Sequence, residues 1–258
     1  MTSANHVAIT LDIDWAPDFV IESVASELLA RNVRATWFVT HHSPTIDWLA
    51  SHSDMFELGI HPNFQLGSTH GDEPETVLKN CLNIVPEARS VRTHGLVQST
   101  NLLITMLEKT ALQVDVSLFL PKTIGVCPVM FRWGCREMLR VPYVWEDDYE
   151  TQQRTPDWSP QTVLAGDPGV KVFNFHPIHI YLNSANLDPY HALKCRQPDL
   201  VKACPQNFEG LVRQGEGTGS MFQRLLEFLS DAPMTYSICE IADDWQVQIA
   251  KINEGRAA

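Results

Sequence analysis

Short apolar segments alternate with amphipathic segments along the first half of the chain, and this alternation restricts the fold more than any other sequence feature. The apolar segments are typical of strands, and the amphipathic ones carry apolar residues at the three- and four-residue spacing of a helix. Parallel strands need a crossover connection, which is usually a helix. The sequence therefore predicts the α/β class, as a parallel sheet or a barrel.

The predicted elements cover both halves of the chain. The predicted strands are 6–13, 33–39, 56–60, 90–93, 114–118, 170–175 and 235–238, and the predicted helices are 18–29, 44–50, 75–82, 100–108, 221–229 and 242–249. We find no repeat and no linker composition, so residues 1–258 are predicted to form one domain.

Two long excursions interrupt the alternation. Residues 119–169 contain six prolines and are predicted to be an irregular insertion or lid with one candidate strand at 138–144. The acidic run 146–150 inside it is predicted to be a solvated turn. Residues 182–219 are predicted to be rich in loops.

The charge balance excludes two classes of partner. Nineteen Lys and Arg against 31 Asp and Glu give a formal net charge of −12, which opposes general binding to nucleic acid or to an anionic membrane. No segment reaches the roughly 18 consecutive apolar residues of a membrane span. Six scattered cysteines without a C-x-x-C pair, and an N-terminus unlike a secretory signal, predict reduced thiols in the cytoplasm.

Histidines and carboxylates are concentrated where the predicted strands end. The strand ends carry Asp12 and Asp14, His41 and His42, His61, Arg92 and His94, and His176 and His179. Because the C-terminal ends of parallel strands share one face, where α/β proteins place their active sites, these side chains are expected to form a functional site. His70 lies in the loop that follows the third strand.

The two carboxylates that follow the first strand are the most informative pair. Asp12 and Asp14 are two residues apart, so both are predicted to point to the same side. Two such carboxylates ionise together only beside a cation, unless one of them keeps a proton. One is a candidate metal ligand and the other a candidate general base; a solvated turn that caps the next helix is the alternative.

His61 is a candidate ligand for the same cation. Neutral imidazole suits Zn²⁺, and a carboxylate is a natural co-ligand, which favours His61 together with Asp14. A hydrogen-bonded structural histidine is the alternative.

Five short segments, spread over roughly the first 180 residues, carry the family signal. They are Thr-Leu-Asp-Ile-Asp (10–14), Ala-Thr-Trp-Phe (35–38), Glu-Leu-Gly-Ile-His (57–61), Val-Arg (91–92) and Phe-His-Pro (175–177). In this order they resemble the motifs of the polysaccharide deacetylase family, the NodB-like carbohydrate esterases. The chain is most similar to the branch associated with bacterial surface-polysaccharide or O-antigen biosynthesis.

The resemblance implies a distorted (β/α) barrel with a metal-dependent site that removes an N-acyl group, acetyl or formyl, from an amino sugar. It implies these roles: general base for Asp12, orientation of that base for Arg92, general acid for His176, and ligation of a divalent metal, in the first place Zn²⁺, for Asp14 and His61.

One position departs from the family pattern. The family has a second histidine ligand four residues after the first, and here Gln65 stands at that position. An amide oxygen is a poor zinc ligand. His70 is the predicted replacement, with His94 as the second choice and a water or substrate atom as the third. A degenerate protein that binds carbohydrate without hydrolysing it is therefore the alternative function.

Three further histidines complete the predicted site as candidate substrate contacts. They are His42, His94 and His179, although a helix start at 43–44 also explains His42, and Pro177 disturbs the strand before His179. The expected partner is an amino sugar on a nucleotide- or lipid-linked precursor or in a polysaccharide, and a cytoplasmic location favours a precursor. A metallohydrolase that acts on a non-sugar amide is a weaker alternative.

Overall fold

A computed structural model describes residues 6–230 and 235–257. Its strands are β1 (His6–Asp12), β2 (Ala35–Val39), β3 (Phe56–Ile60), β4 (Ser90–Val91), β5 (Val114–Asp115), β6 (Val129–Trp133), β7 (Arg136–Arg140), β8 (Trp145–Glu146) and β9 (Val170–Phe175). They form one sheet in the order β6-β7-β5-β4-β3-β2-β1-β9-β8. Neighbouring strands are parallel throughout, except in the β6–β7 hairpin.

Helices connect most of the parallel strands. The described residues form α1 (Asp18–Ala30), α2 (Pro44–Ser51), α3 (Pro74–Ile84), α4 (Thr100–Lys109), α5 (Asp147–Glu150), α6 (Gln161–Leu164), α7 (Pro177–Leu182), α8 (Asp188–Arg196), α9 (Pro205–Phe208), α10 (Thr218–Ser230) and α11 (Ile238–Ala257). Ser43 and Ser99 begin α2 and α4 by accepting a hydrogen bond from the first-turn amides of Ile46 and Leu102. No helix of the described residues is long and apolar enough to cross a membrane.

One stretch of chain, residues 136–146, bonds to both ends of the sheet and curls it into an incomplete barrel. Its first part, β7, pairs with β5. Further along, the amide of Tyr143 donates to the carbonyl of Leu118 at 3.1 Å, and the amide of Val144 donates to the carbonyl of Val172 in β9 at 3.0 Å. The predicted fold class, a distorted α/β barrel with long excursions, is confirmed.

The central strands are buried on both faces. All residues of β2 and β9 are buried, as expected for apolar strands covered by crossover helices on one side and by the barrel interior on the other. The buried apolar side chains form one continuous cluster. All six cysteines are free in the structure.

The excursions contain more regular structure than the sequence indicated. Residues 119–169 hold the β6–β7 hairpin, β8 and two short helices, and residues 182–219 hold α8 and α9. The predicted strand at 235–238 is wrong, because α11 begins at Ile238. There the carboxylate of Glu57 accepts the amide hydrogen of Cys239 at 2.7 Å, which stabilises a helix start in place of a strand.

Candidate active site

The carboxyl ends of β1, β3, β4 and β9 meet at one end of the barrel, as the strand-end pattern predicted. A cavity of about 450 Å³ opens there, and we call it the rim cavity. Its lining includes Asp12, Asp14, His61, His94, Glu146 and His176. The cavity is large enough for a small ligand.

Three side chains of this rim bring their ligand atoms together. Asp14 Oδ1 lies 3.1 Å from His61 Nε2 and 3.1 Å from His94 Nδ1, and the two ring nitrogens are 3.3 Å apart. A carboxylate and two imidazoles in this arrangement are able to hold a metal ion.

A hydrogen bond on the far side of the ring orients His61 for this purpose. His61 Nδ1 lies 2.8 Å from the backbone carbonyl oxygen of Arg92, so Nδ1 carries the proton and donates it. The lone pair of the neutral ring is then on Nε2, which faces Asp14 and His94. Metal-ligating histidines commonly have such a second partner, because it determines both the tautomer and the ring orientation.

Backbone turns, and not regular strands, place the other two members of this cluster. β1 ends at Asp12, and Asp14 and Trp15 follow with left-handed backbone angles, φ 44° and 57°. This conformation costs about 1–2 kcal/mol for a side chain larger than glycine, and aspartate and asparagine adopt it more readily than most other residues. His94 opens a 3₁₀ turn, and the ring of Trp15 packs edge-on against it at 5.2 Å. Asp12 and Asp14 therefore do reach the same site, although only Asp12 lies in the strand.

Asp12 lies at the bottom of the rim cavity and is held by two buried side chains. Arg92 Nη1 donates to Asp12 Oδ1 at 3.1 Å, and Asn174 Nδ2 donates to Asp12 Oδ2 at 2.9 Å. The Arg92 guanidinium is fully buried between the rings of Phe38 and Tyr143, 4.7 and 4.3 Å from their centroids. This stacking restricts the guanidinium plane and so aims Nη1 at Asp12.

Asn174 also joins Asp12 to a second carboxyl group. Its Nδ2 donates to Glu146 Oε1 at 3.1 Å, and the hydroxyl of Tyr143 donates to the same oxygen at 3.1 Å. Burial, with the neighbouring carboxylates, raises the pKa of Glu146 to about 7. Glu146 therefore titrates near neutral pH, whereas Asp12 does not.

His176 faces Asp12 and Asp14 from β9 and is held by Asp147. Asp147 accepts two hydrogen bonds from this one residue, from the ring Nδ1 at 2.7 Å and from the backbone amide at 2.8 Å. The other ring nitrogen, Nε2, lies 3.9 Å from Asp12 Oδ2 and 3.7 Å from Asp14 Oδ2. The ring is therefore oriented with Nε2 towards the cavity.

The charges of the site oppose the effect of burial on its pKa values. Burial raises the pKa of Asp12, but Arg92 and then His61 outweigh it and hold this pKa below its usual range. Burial also raises the pKa of Asp14, but the neighbouring His61 and His94 rings outweigh it and hold this pKa well below its usual range. The contact with Asp14 in turn raises the pKa of His94, against the effect of burial. The proton of His94 therefore lies where a metal cation also fits, because the Asp14 carboxylate stabilises either one.

His70, the predicted third ligand, does not reach this cluster. Its Nδ1 accepts the amide hydrogen of Asn63 at 3.1 Å, and its Nε2 lies 2.7 Å from the carbonyl oxygen of Thr40. Both nitrogens are used to connect two loops, so neither is available to an ion. His94, the second choice, lies where His70 was expected.

Two of the predicted substrate contacts also lie elsewhere. His42 is exposed and pairs with Asp47 at 3.1 Å, beside the start of α2, which agrees with the helix-start alternative. His179 is buried, with Nε2 2.9 Å from Asp148 Oδ1 and Nδ1 3.0 Å from Ser184 Oγ. His179 therefore supports a cavity residue and does not line the cavity itself.

Asp147 and Asn174 are site residues that the sequence reasoning missed. The run 146–150 was expected to be a solvated turn, yet Asp147 is fully buried. β8 pairs with β9, so Asp147 follows the end of a parallel strand just as His176 does. The polar Asn174 inside an apolar strand was a usable signal, since buried polar groups need partners.

Comparison with known proteins agrees with this geometry. A family model described as WbmS-like polysaccharide deacetylase matches residues 9–194, a region that contains every residue of the site. The chain belongs to the WbmS-like polysaccharide deacetylase family. Membership supports a deacetylase, which is a hydrolase, and implies a carbohydrate substrate.

Solved structures extend the comparison beyond the matched region. A Bordetella bronchiseptica protein described as a polysaccharide deacetylase involved in O-antigen biosynthesis is 31% identical, with a TM-score of 0.75 over 88% of this chain and 91% of that chain. The peptidoglycan deacetylase PdaC from Bacillus subtilis is 13% identical, with a TM-score of 0.52 over 99% and 98% of the two chains, and shares the fold. No curated protein gives a significant match to this deacetylase family member.

Proposed function

We propose that this protein is a metal-dependent hydrolase that removes an N-acyl group, acetyl or formyl, from an amino sugar in the biosynthesis of a bacterial surface polysaccharide such as O-antigen. The observation that carries the proposal is the convergence of Asp14, His61 and His94 beside the Asp12–Arg92 and His176–Asp147 pairs. The description of the 31% identical protein supports the biosynthetic context.

Asp14, His61 and His94 would hold the metal ion, in the first place Zn²⁺. Tetrahedral zinc with bonds of about 2.0–2.1 Å places its ligand atoms about 3.3 Å apart, and the three separations here are 3.1, 3.1 and 3.3 Å. Three protein ligands leave a coordination position open, as in catalytic zinc sites. The ion would supply positive charge that polarises the acyl carbonyl and acidifies the attacking water.

Asp12 is the general base of the proposed reaction. Its pKa lies below the usual range, so it is ionised at neutral pH and able to accept the proton of the attacking water. Arg92 and Asn174 each bond one of its oxygens and hold the carboxylate in place.

His176 is the general acid. An amine leaves poorly unless it is protonated, and His176 Nε2 faces the cavity opposite Asp12. Burial lowers the pKa of His176, but the charges of Asp148 and Asp147 outweigh it and raise this pKa well above its usual range. The ring is therefore protonated at neutral pH. Water adds across the amide C–N bond, and the products are a carboxylate and a free amine.

The substrate we infer is a cytoplasmic precursor, an N-acyl amino sugar linked to a nucleotide or a lipid. Six free thiols are typical of a reducing compartment. Precursors of surface polysaccharides are present there, whereas finished polysaccharide is not.

The test is an assay of acyl release on a panel of nucleotide-linked N-acetyl and N-formyl amino sugars, with and without added Zn²⁺ or Co²⁺. We expect metal-dependent release of acetate or formate, and its loss in Asp12→Asn and His176→Asn, with exposed His42→Asn as the matched control. If the sugars bind but no acetate or formate is released with or without metal, the protein is a carbohydrate-binding relative and the proposal is wrong.

A further inference from the structure

A second cavity adjoins the rim cavity, and the two share Asp14 and His94. This side cavity has a volume of about 320 Å³. Because the same two residues line both cavities, a ligand that occupies both passes directly over the candidate metal ligands. The site is therefore a groove with two ends.

The rim-cavity end is rich in carboxyl groups. Besides Asp14, its lining includes Asp12, Glu146 and Asp148, and it includes no lysine or arginine. The buried His179 holds the carboxylate of Asp148 in place at the cavity wall, with His179 Nε2 2.9 Å from Asp148 Oδ1. Carboxylates held in this way accept hydrogen bonds from hydroxyl and amine groups and repel anions.

The side-cavity end has one cation, and this cation makes no ion pair among the described residues. Lys194 lines it, with Nζ 5.8 Å from the ring centroid of Tyr190, which lines it as well. Among the described residues, lysine ion pairs involve Lys109, Lys122 and Lys202, and Lys194 makes none. Asp199, the other acid of this wall, pairs with Lys202 at 2.8 Å and not with Lys194.

We propose that the side cavity binds a phosphate group joined to the amino sugar, while the acylated sugar lies in the rim cavity. The inference rests on the proposed function and deepens it, since it assigns the phosphate-bearing end of the substrate to Lys194. Lysine binds phosphate as a point charge. In a protein of net charge −12 the overall field repels an anion, so a local cation is needed to hold it. The Lys194 cation favours the orientation that places the phosphate in the side cavity and the sugar in the rim cavity.

The test is a binding measurement by calorimetry on the zinc-loaded full chain. The probes are UDP-N-acetylglucosamine, N-acetylglucosamine 1-phosphate and the uncharged methyl glycoside of N-acetylglucosamine. The variants are Lys194→Gln and, as a matched control, Lys79→Gln, an exposed lysine on α3 that lines neither cavity.

We expect Lys194→Gln to weaken binding of both phosphorylated sugars by about 10- to 100-fold, the effect of losing one hydrogen bond to a charged group. Binding of the methyl glycoside should not change, and Lys79→Gln should have no effect. An equal loss for both phosphorylated probes places the contact at the sugar-linked phosphate that nucleotide and lipid carriers share. A loss confined to the UDP-sugar would contradict a contact with the sugar-linked phosphate.

Three results would overturn the inference. They are an equal loss for charged and uncharged sugars, the same loss in both lysine variants, and no binding of either phosphorylated sugar at millimolar concentration. Because binding needs no turnover, Lys194-dependent binding without acyl release would overturn the proposed function alone.

Discussion

Nδ1 of His94 lies 3.3 Å from Nε2 of His61, and each is 3.1 Å from the same oxygen of Asp14. The two imidazoles follow neighbouring parallel strands, β3 and β4, whereas the family pattern has both in one loop. Gln65, which stands at the family's histidine position, instead places its side-chain amide next to Gly95. A Cβ added to Gly95 would lie 2.5 Å from Gln65 Nε2. Gly95 thus leaves room for Gln65 directly beside His94.

His70 is expected to stabilise the fold without binding metal. His70→Ala leaves the amide of Asn63 and the carbonyl of Thr40 without their partner, which should lower the free energy of unfolding by about 1–3 kcal/mol. Urea unfolding measures the loss, and elemental analysis should show unchanged zinc stoichiometry. A folded His70→Ala protein that has lost its zinc would make His70 a ligand after all.

Asp147 is expected to set the alkaline limit of activity. The proton of His176 is present below its raised pKa and is lost as the pH rises through that pKa. Asp147→Asn removes one of the charges that raise it, so the alkaline limb of the kcat profile should move to lower pH. We also expect kcat to fall by about 10²-fold at neutral pH.

The pH profile separates this role from a merely structural one. Asp47→Asn is the matched control, because Asp47 pairs with the exposed His42 far from the cavity. An alkaline limb at the same pH in wild type and in Asp147→Asn would show that Asp147 does not act through His176.

Arg92→Lys is expected to destabilise the protein although it keeps the charge. Lysine cannot reproduce the stacked guanidinium plane, nor the donation from Nε to the carbonyl of Val116 at 3.1 Å. Disrupting a fully buried pair of this kind should lower the free energy of unfolding by about 3 kcal/mol. Arg132→Lys, at an exposed ion pair with Glu137, should change it by less than about 0.5 kcal/mol. Equal urea midpoints for the two variants would contradict this reading of Arg92.

Much of the fold and part of the site followed from the sequence. The strands β1, β3 and β9 are largely apolar and have at least five residues each, so their ends, and with them Asp12, His61 and His176, were predictable. Parallel strands then bring those ends together without any further information. The curling of the sheet was not predictable from the pattern of side chains, because residues 136–146 join the two ends of the sheet through backbone hydrogen bonds.

The remaining errors have a common cause in short elements. β8 has two residues, so nothing marked Asp147 as a strand-end residue, and an acidic run looked like surface. β4 is equally short, and whether His70 or His94 completes the cluster depends on a 3₁₀ turn. Turn geometry of this kind comes from tertiary contacts, such as the ring of Trp15 against His94, and not from local periodicity.

The zinc affinity of three variants, His94→Ala, His70→Ala and Gln65→Ala, tests the central claim most directly. Competition with a coloured chelator measures the dissociation constant, with circular dichroism as the check on folding. We predict one zinc ion per chain, an affinity at least about 10-fold weaker in His94→Ala, and wild-type affinity in the other two variants. Wild-type affinity in a folded His94→Ala protein, with the loss in His70→Ala or Gln65→Ala instead, would contradict the account.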